Sequence, residues 1–415
     1  MVSVSGLFSI LYGTFLLSRI YATADAYTFP LDSSTVQMIY IGIIILLVLA
    51  KEKKHIITKQ ITELKLAIVL LVGYLLLFGF VFVNPLMEQY TASIVLRQSS
   101  FLATIIATAL FVRKYDLLSE VIQTSFWTVA IVLCYQFVTN IGDVAKINVM
   151  TIFDLSARTR ANFGLGHYNF LGLLCTCEIV LGIWLSKLGK KRKAPMFIIV
   201  LSIVMLLGSA SRNAIFSLVV FILMGLYFNL ERYPMKNVYK FLVKLLLGIL
   251  LLFAAILGDD SVSMEGILLA SNRMVMFLVA LPTFFKSGRT WIGLGLASGE
   301  IYGQNLTPYE TYWLDNGYIY TLVASGYIGA IIYLVLIILF LRKFWRIKKK
   351  SHTIGSLVSA TFLMYLFTAL FEMTLFNGGA LINYLFMPIF LVILDYNTGN
   401  DALLISRKKL GAKCS

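Results

Sequence analysis

Residues 316–350 read NGYIYTLVASGYIGAIIYLVLIILFLRKFWRIKKK, an apolar run that ends in a cluster of lysine and arginine residues. A run of about 17–25 predominantly apolar residues is long enough to cross a bilayer as an α-helix. The run is continuous rather than alternating, which favours a helix over a strand of a membrane β-barrel. Because basic clusters are typical of the cytoplasmic ends of membrane helices, this stretch predicts both a membrane helix and its orientation.

The same pattern recurs along the whole chain of 415 residues, of which 59% are hydrophobic and 13% charged. Soluble domains contain about 45–50% apolar residues, so this composition indicates an integral membrane protein. We predict one all-α, polytopic membrane domain over residues 1–415, with about twelve transmembrane helices. The predicted spans are 3–20, 34–50, 66–84, 93–112, 121–140, 167–187, 196–210, 213–230, 241–258, 316–341, 354–376 and 380–395.

Lysine and arginine residues indicate the orientation of these spans. Six basic clusters hold 26 of the 35 lysines and arginines, and all six fall on one side if both termini are cytoplasmic. Membrane orientation therefore explains the net charge of +15, and we expect no nucleic-acid partner. The apolar run 274–281 is too short to span, and we interpret it as an interfacial or re-entrant helix. The clusters are 51–65, 113–114, 187–193, 232–244, 342–350 and 407–413.

Two long outer segments, 141–166 and 259–315, are expected to form the active site, because long loops are usually functional or disordered. The second contains tryptophan and tyrosine residues, which argues against disorder. The sequence has no Walker P-loop, no outer Asp-x-Asp pair, and no metal or disulfide spacing among its four cysteines. We therefore expect no metal and no cofactor, and a substrate that is already activated.

Arginines of the outer segments suit an anionic substrate. The guanidinium group is always charged, and its planar fork pairs bidentately with phosphate oxygens. At a membrane surface the natural anion is the head group of a lipid-linked substrate; the alternative is pairing with ordinary lipid phosphates or with Asp154. The candidate diphosphate-binding residues are Arg158, Arg160, Arg212, Arg273 and Arg289.

Polar residues around the start of the sixth span are further candidates. His167 could act as a general base, a general acid or a hydrogen-bond donor, or could anchor the helix end. Asn169 could bind a sugar hydroxyl or act as a cap partner, and Gly164 and Gly166 allow a tight turn. Glu178 lies on the same helix face as His167, and an intramembrane carboxyl is a functional candidate by default, with packing as the alternative.

A second group of candidates lies near the start of the span at residue 316. Asp315 could accept a proton from an attacking hydroxyl, or could cap the helix, since a carboxylate is favoured at a helix N-terminus. Asn316 is a candidate sugar ligand. Trp291 and Trp313 could stack on sugar rings, or could belong to the aromatic belt at the membrane interface.

Four segments resemble one family of membrane enzymes. RTRANFGLGHYNFLGLL (158–174) resembles the motif before a central helix of Wzy-type oligosaccharide repeat-unit polymerases. GSASRNAIFSLVV (208–220) and residues 270–299 resemble the helix junction and the large outer loop of the wider O-antigen ligase and polymerase superfamily. LDNGYIYTLVASGYIGAIIYLVLI (314–337) resembles the segment after that loop. The four segments occur in the family's order and cover the central part of the chain.

The resemblance implies a glycosyltransferase of the bacterial cytoplasmic membrane. In this family a growing glycan moves from undecaprenyl diphosphate to a hydroxyl of an incoming lipid-linked repeat unit, and the ligases imply an inverting, metal-independent transfer. Arg160, Arg212 and Arg273 match the motif arginines, which implies that they clamp the diphosphate. The implied catalytic residues are His167, Asp315 and Arg273, and the implied protein partners are a flippase and a chain-length regulator.

One position departs from the ligase pattern, because ligases carry His-Asn where this chain has Asp315-Asn316. The departure favours a capsule or exopolysaccharide polymerase of Gram-positive type. Two alternatives stay open: an O-antigen-ligase-like transferase with another acceptor, and a transporter such as the flippase that supplies lipid-linked units. Transporters usually show internal repeats and broken helices around a midplane site, and no repeat is evident in the sequence.

Overall fold

The computed structural model describes residues 3–24, 32–50, 63–82, 88–147, 160–188, 193–229, 236–257, 279–307 and 314–395, and these residues form helices and turns without a β-strand. A π-helical turn (Leu77–Val81) extends α3, and a 3-10 helix (Ile141–Lys146) follows α5. The α-helices are α1 (Val4–Thr23), α2 (Ser33–Ala50), α3 (Glu63–Leu76), α4 (Glu88–Tyr115), α5 (Leu118–Thr139), α6 (Tyr168–Lys187), α7 (Lys193–Ser209), α8 (Arg212–Asn229), α9 (Lys236–Leu257), α10 (Leu281–Lys286), α11 (Gly299–Leu306), α12 (Gly317–Lys350), α13 (His352–Thr368) and α14 (Leu381–Asp395).

Seven helices in the described ranges are long and apolar enough to cross a membrane, and four shorter helices are also apolar. The prediction of an all-helical polytopic membrane protein is therefore confirmed. Each predicted span overlaps one helix, α1–α9 or α12–α14. The number of helices that cross the bilayer stays a prediction. The seven are Val4–Thr23, Glu63–Val81, Ala92–Tyr115, Leu118–Thr139, Tyr168–Lys187, Arg212–Asn229 and Gly317–Lys350.

The predicted span 354–376 is too long. Helix α13 ends at Thr368, and turns occupy residues 369–380, so the prediction of a helix over the last part of that run is wrong. Buried side chains from neighbouring helices supply hydrogen bonds that the turn backbone does not form within itself. These bonds run from the Tyr365 hydroxyl to Thr374 O (3.1 Å) and from Asn383 Nδ2 to Thr374 O (2.6 Å) and Asn377 O (2.7 Å).

Helix α14 lies at the centre of the bundle. Every residue from Leu381 to Leu394 is buried, and α14 packs against α1, α3, α4, α5, α6 and α12. A helix that is apolar on all sides is stable there, because other helices cover its faces. The surrounding helices expose large apolar side chains such as Met38, Ile131 and Phe197. An outer surface of this kind suits lipid rather than water.

Ion pairs gather several helix ends on one side of the bundle, which we call the basic end. Glu63 at the start of α3 pairs with Lys343 (3.0 Å) and Arg346 (2.6 Å) near the end of α12. Arg113 near the end of α4 pairs with Asp395 at the end of α14 (2.7 Å). The basic clusters predicted at 113–114 and 342–350 therefore lie beside the same set of helix ends.

Aromatic contacts extend the basic end to other helices. The Phe344 ring near the end of α12 lies 5.7 Å from the Phe390 ring of α14. The Phe8 ring near the start of α1 lies 5.4 Å from the Phe111 ring near the end of α4. The first described helix therefore begins, and the last one ends, at the basic end.

Helix α12 is interrupted at Gly326, whose backbone is not helical (φ 61°, ψ −161°). In an unbroken helix, the N–H groups of residues 327 and 328 donate to the carbonyls of residues 323 and 324. Here all four groups pair instead with the segment 290–295. The hydrogen bonds run from Tyr327 N to Thr290 O (2.9 Å), Ile328 N to Trp291 O (3.2 Å), Leu294 N to Val323 O (2.8 Å) and Gly295 N to Ala324 O (3.0 Å).

Glycines permit this close approach of two backbones. A Cβ at Gly326 would lie 2.4 Å from the carbonyl carbon of Trp291, and one at Gly293 would lie 2.5 Å from that of Ala324. Broken helices are tolerated within a membrane where protein satisfies the freed backbone groups. The segment 290–295 does so about 14 Å along α12 from its start. Part of the predicted outer loop is therefore packed into the bundle, which the sequence did not predict.

Candidate functional site

Four residues predicted from the sequence lie together at the end of the bundle opposite the basic end. Only two residues separate the end of α4 from the start of α5, so the end of α5 lies across the bundle from the basic end. The loop 160–167 is bonded to that end of α5 and leads into α6. We call the set Arg160, His167, Asn169 and Arg212 the arginine–histidine cluster.

Hydrogen bonds to α5 and α7 fix the loop that carries Arg160. Phe163 is fully buried; its N–H donates to Asp143 Oδ2 (3.0 Å), and its carbonyl accepts from Asn140 Nδ2 (3.1 Å). The Ala161 N–H donates to the carbonyl of Gly208 near the end of α7 (2.9 Å). The loop therefore connects the ends of α5 and α7 to the start of α6.

The tight turn predicted at Gly164 and Gly166 is confirmed. Both glycines have positive φ values, 75° and 67°. Asn162 closes the turn from both sides: its Oδ1 accepts from the Gly164 N–H (3.2 Å), and its Nδ2 donates to the Gly166 carbonyl (3.1 Å). The turn delivers His167 to the start of α6 in an extended backbone conformation.

His167 is the N-cap of α6, which confirms its interpretation as a helix-end anchor. Its Nδ1 accepts a hydrogen bond from the Asn169 N–H (3.2 Å), and its ring stacks on Tyr168 at 4.4 Å. A neutral imidazole that accepts at Nδ1 carries its proton on Nε2. While the exposed side chain holds this cap, its proton is therefore on Nε2.

Arg160 is oriented by an aromatic ring. Its guanidinium carbon lies 3.9 Å from the centroid of the Tyr168 ring, which is within the range of a cation–π contact. Tyr168 also stacks on His167, so one ring positions both candidate residues. The contact orients the Arg160 guanidinium over the start of α6.

Arg212 reaches the cluster because α6 and α8 cross closely. A Cβ at Gly172 of α6 would lie 2.6 Å from Cβ of Ser211. The Ser211 hydroxyl donates to Oδ1 of Asn169 (3.2 Å), and Arg212 follows as the first residue of α8. Arg212 is only 4% exposed. The motif arginines Arg160 and Arg212 are thus brought to neighbouring helix starts.

Contacts along α8 and α13 connect the cluster to the start of α12. The Thr368 hydroxyl at the end of α13 donates to the Ser217 hydroxyl, five residues after Arg212 (3.0 Å). Just beyond Thr368, the carbonyl of Leu370 accepts from Asn316 Nδ2 (2.8 Å). The start of α12, with Asp315, is therefore at the same end as the cluster.

Asn316, rather than Asp315, caps α12. Its Oδ1 accepts from the N–H groups of Tyr318 and Ile319 (both 3.0 Å). Both acceptor positions of the amide oxygen are thus used, and Nδ2 donates to the Leu370 carbonyl. Little of this buried side chain is therefore available to bind a sugar. Asp315 is exposed beside the cap.

Other predicted residues lie away from the cluster. Trp291 is 65% exposed and packs edge-to-face on Tyr327 (5.4 Å), at the level of the α12 break. Arg289 is half-buried just before this segment. Glu178 is fully buried in the middle of α6, and neither carboxyl oxygen has a hydrogen-bond partner in the described part of the chain. Arg158, Arg273 and Trp313 lie outside the described residues.

Two arginines that were not predicted as site residues lie at the same end of the bundle as the cluster. Arg19 and Arg97 flank a turn at residues 377–379, also at the end opposite the basic end. Their location within apolar runs was a signal, because arginine is rare in membrane helices and usually functional there. Their proximity was not predictable, since it depends on how α1, α4 and the turn before α14 pack.

The arrangement combines the fixed positive charge of the arginines with the exposed carboxylate of Asp315 at the same end of the bundle. Among the described residues, no group of three or more His, Cys, Asp or Glu side chains could hold a metal ion. Neither the protein-family models nor the curated proteins contain a match to this chain.

Proposed function

We propose that this chain is a glycosyltransferase that polymerises undecaprenyl-diphosphate-linked repeat units at the outer face of the bacterial cytoplasmic membrane. The observation that carries the proposal is the convergence of Arg160, Arg212 and His167 on neighbouring helix starts, at the end opposite the basic end. If the basic end is cytoplasmic, as the positive-inside rule requires, this cluster faces the side on which lipid-linked glycans are presented.

The proposed chemistry is a substitution at the anomeric carbon of the donor glycan. The bond between that carbon and the diphosphate oxygen breaks, and the electron pair leaves with undecaprenyl diphosphate. A hydroxyl oxygen of the acceptor repeat unit forms the new glycosidic bond, and its proton passes to a base. Two arginines that pair with the diphosphate stabilise the charge that develops on the leaving group.

The geometry supports different roles for the two candidate acid–base residues. With its Nδ1 occupied by the α6 cap, His167 carries its proton on Nε2, which suits hydrogen bonding to a diphosphate oxygen rather than removal of a proton from a hydroxyl. Asp315 is an exposed carboxylate that is not needed as the α12 cap. We assign Asp315 as the general base and His167 as a hydrogen-bond donor to the leaving group.

Reconstitution of the purified chain with a synthetic undecaprenyl-diphosphate repeat unit tests the proposal. We expect a ladder of glycan lengths that forms in the presence of EDTA. Arg160→Ala and Arg212→Lys should reduce elongation at least about 100-fold, since a lost charge-stabilising contact in an active site costs about that much. Arg212→Lys keeps the charge of this buried residue and removes only its planar fork.

Lys146→Gln is the matched control, because Lys146 is an exposed cation at the same end and pairs with Asp143 (2.6 Å). It should elongate like the wild type. Full-length polymer from Arg160→Ala would exclude the diphosphate clamp.

A transporter of lipid-linked glycans is the second candidate, and the interruption of α12 favours it, because broken helices recur at transporter binding sites. The same vesicles separate the two functions. Movement of labelled lipid across the bilayer without glycan elongation would show that the chain is a transporter rather than a polymerase. Elongation of substrate supplied only on the outer side would exclude transport as the sole activity.

A further inference from the structure

Arg97 is a cation in the apolar part of α4. It is exposed, and it forms no hydrogen bond or ion pair with any described residue. A Cβ built on Gly379 would lie 3.6 Å from its guanidinium carbon, so the side chain lies against the turn at residues 377–379. It is also close enough to Tyr320 and Tyr384 to interact electrostatically with both.

Arg19, near the end of α1, approaches the same turn. Its Nη2 donates to the carbonyl of Gly378 (3.4 Å), its Nη1 donates to the Ser33 hydroxyl (3.3 Å), and its guanidinium lies 4.9 Å from the Tyr384 ring. Both bonds are long and go to neutral acceptors, and its buried Nε has no hydrogen-bond partner in the described residues. Half-buried positive charge of this kind is costly unless an anion is supplied.

The turn between the two arginines is rigid. Gln98 of α4 is buried and clamps it: Nε2 donates to the Phe376 carbonyl (2.7 Å), and Oε1 accepts from the Gly378 N–H (2.9 Å). The Tyr384 hydroxyl donates to the Gly378 carbonyl (3.0 Å). A narrow crevice opens beside the turn, and its lining includes Gln98, Asn377 and three tyrosines, Tyr74, Tyr320 and Tyr333.

We propose that Arg19 and Arg97 form a second phosphate-binding site, which holds the diphosphate of the acceptor lipid. This inference rests on the proposed function, because a polymerase joins two lipid-linked substrates and therefore needs two anion sites. The start of α12 stands between the two sites. Asn316 connects it through Leu370 toward Arg212. Tyr320, one turn further along, is near enough to Arg97 to interact with it electrostatically. A base at Asp315 is thus placed to meet an acceptor held at Arg97 and a donor held at Arg212.

The binding test uses the purified full chain in nanodiscs with undecaprenyl diphosphate as the probe. Native mass spectrometry should show two bound molecules for the wild type and for Lys146→Gln. The double variant Arg19→Gln/Arg97→Gln should keep one, and Arg160→Gln/Arg212→Gln should keep the other. Arg97→Gln alone is expected to fold normally, because its side chain has no hydrogen bond to lose.

The kinetic test varies the acceptor and donor concentrations separately. Arg97→Gln should raise the KM for the acceptor lipid at least about tenfold, which corresponds to roughly 1.4 kcal/mol, and leave the KM for the donor within twofold. An excess of phosphatidylglycerol should not displace the second probe molecule. Displacement would assign the site to ordinary anionic lipid and overturn the proposal.

The two proposals can fail separately. One bound probe that is lost only in Arg160→Gln/Arg212→Gln would overturn the second site and leave the proposed function standing. Two bound probes without glycan elongation would sink the proposed function and retain the second site. No bound probe in the wild type would overturn both.

Discussion

Asp315 and Asn316 are neighbours at the start of α12, but only Asn316 holds the helix. We therefore expect Asp315→Asn to leave thermal stability unchanged and to reduce elongation about 10²–10⁴-fold, as for the loss of a general base. The acid limb of the pH–rate profile should disappear with it. The measurements are a melting curve and steady-state elongation from pH 5 to 9.

Asn316→Ala is the contrasting variant for this prediction. It removes the cap and the bond to Leu370, so it should lower the free energy of unfolding by about 1 kcal/mol or more and keep the acid limb. An active Asp315→Asn enzyme would exclude Asp315 as the base.

His167 caps α6 through Nδ1 and is proposed to donate a hydrogen bond to the leaving group through Nε2. The variant His167→Asn separates these two roles. His167→Asn keeps a side-chain acceptor for the α6 cap, since asparagine is a favourable N-cap residue. We expect an unchanged melting temperature, a fall of about 10–100-fold in kcat, and an unchanged acid limb of the pH–rate profile. If the acid limb is lost here and kept in Asp315→Asn, the assignments of donor and base are reversed.

At the scale of elements, apolar runs predict helices well because lipid requires every backbone group to be paired within the segment. They do not show where a helix breaks. The run 317–341 reads as one helix, and only Gly326 hints otherwise. The break depends on segment 290–295, which lies about thirty residues earlier in the chain. The Arg158–Asn169 motif predicted its own turn and cap, because those bonds are local.

The break in α12 leads us to predict how alanine at two glycine positions changes the stability of the bundle. Gly326→Ala should destabilise the bundle, since its φ is positive and the new Cβ would meet Trp291 at 2.4 Å. A strained backbone of this kind costs about 1–3 kcal/mol, and the clash adds to it. Gly73→Ala is the matched control, because nothing lies within 4 Å of a Cβ there and alanine favours a helix.

Thermal unfolding in detergent, followed by tryptophan fluorescence, measures both variants. We expect a lower melting temperature for Gly326→Ala and an equal or higher one for Gly73→Ala. Equal melting curves for Gly326→Ala and the wild type would mean that segment 290–295 does not support α12 in solution.

For the whole molecule, the ion pairs between different helices in the described residues gather at the basic end. At the basic end, described cations such as Arg113, Lys343 and Arg346 have carboxylate partners from other helices. At the opposite end, the Arg160 guanidinium lies over the Tyr168 ring, and Arg97 forms no hydrogen bond or ion pair with a described residue. The ion pairs at the basic end join helices, whereas Arg160 and Arg97 are the cations that we propose pair with a substrate anion. We therefore assign the proposed chemistry to the end opposite the basic end.

The orientation of the two ends is tested by cysteine labelling of intact cells. In a Cys414→Ser background, Asp315→Cys and Lys146→Cys should react with a membrane-impermeant maleimide, because both positions are exposed at the end opposite the basic end. Lys349→Cys, which is exposed at the basic end, should react only after permeabilisation. The remaining cysteines in the described residues lie within α5 and α6, two of them buried, and give the background signal. Labelling of Lys349→Cys in intact cells would place the basic end outside, and the cluster could not then meet substrate at the outer face.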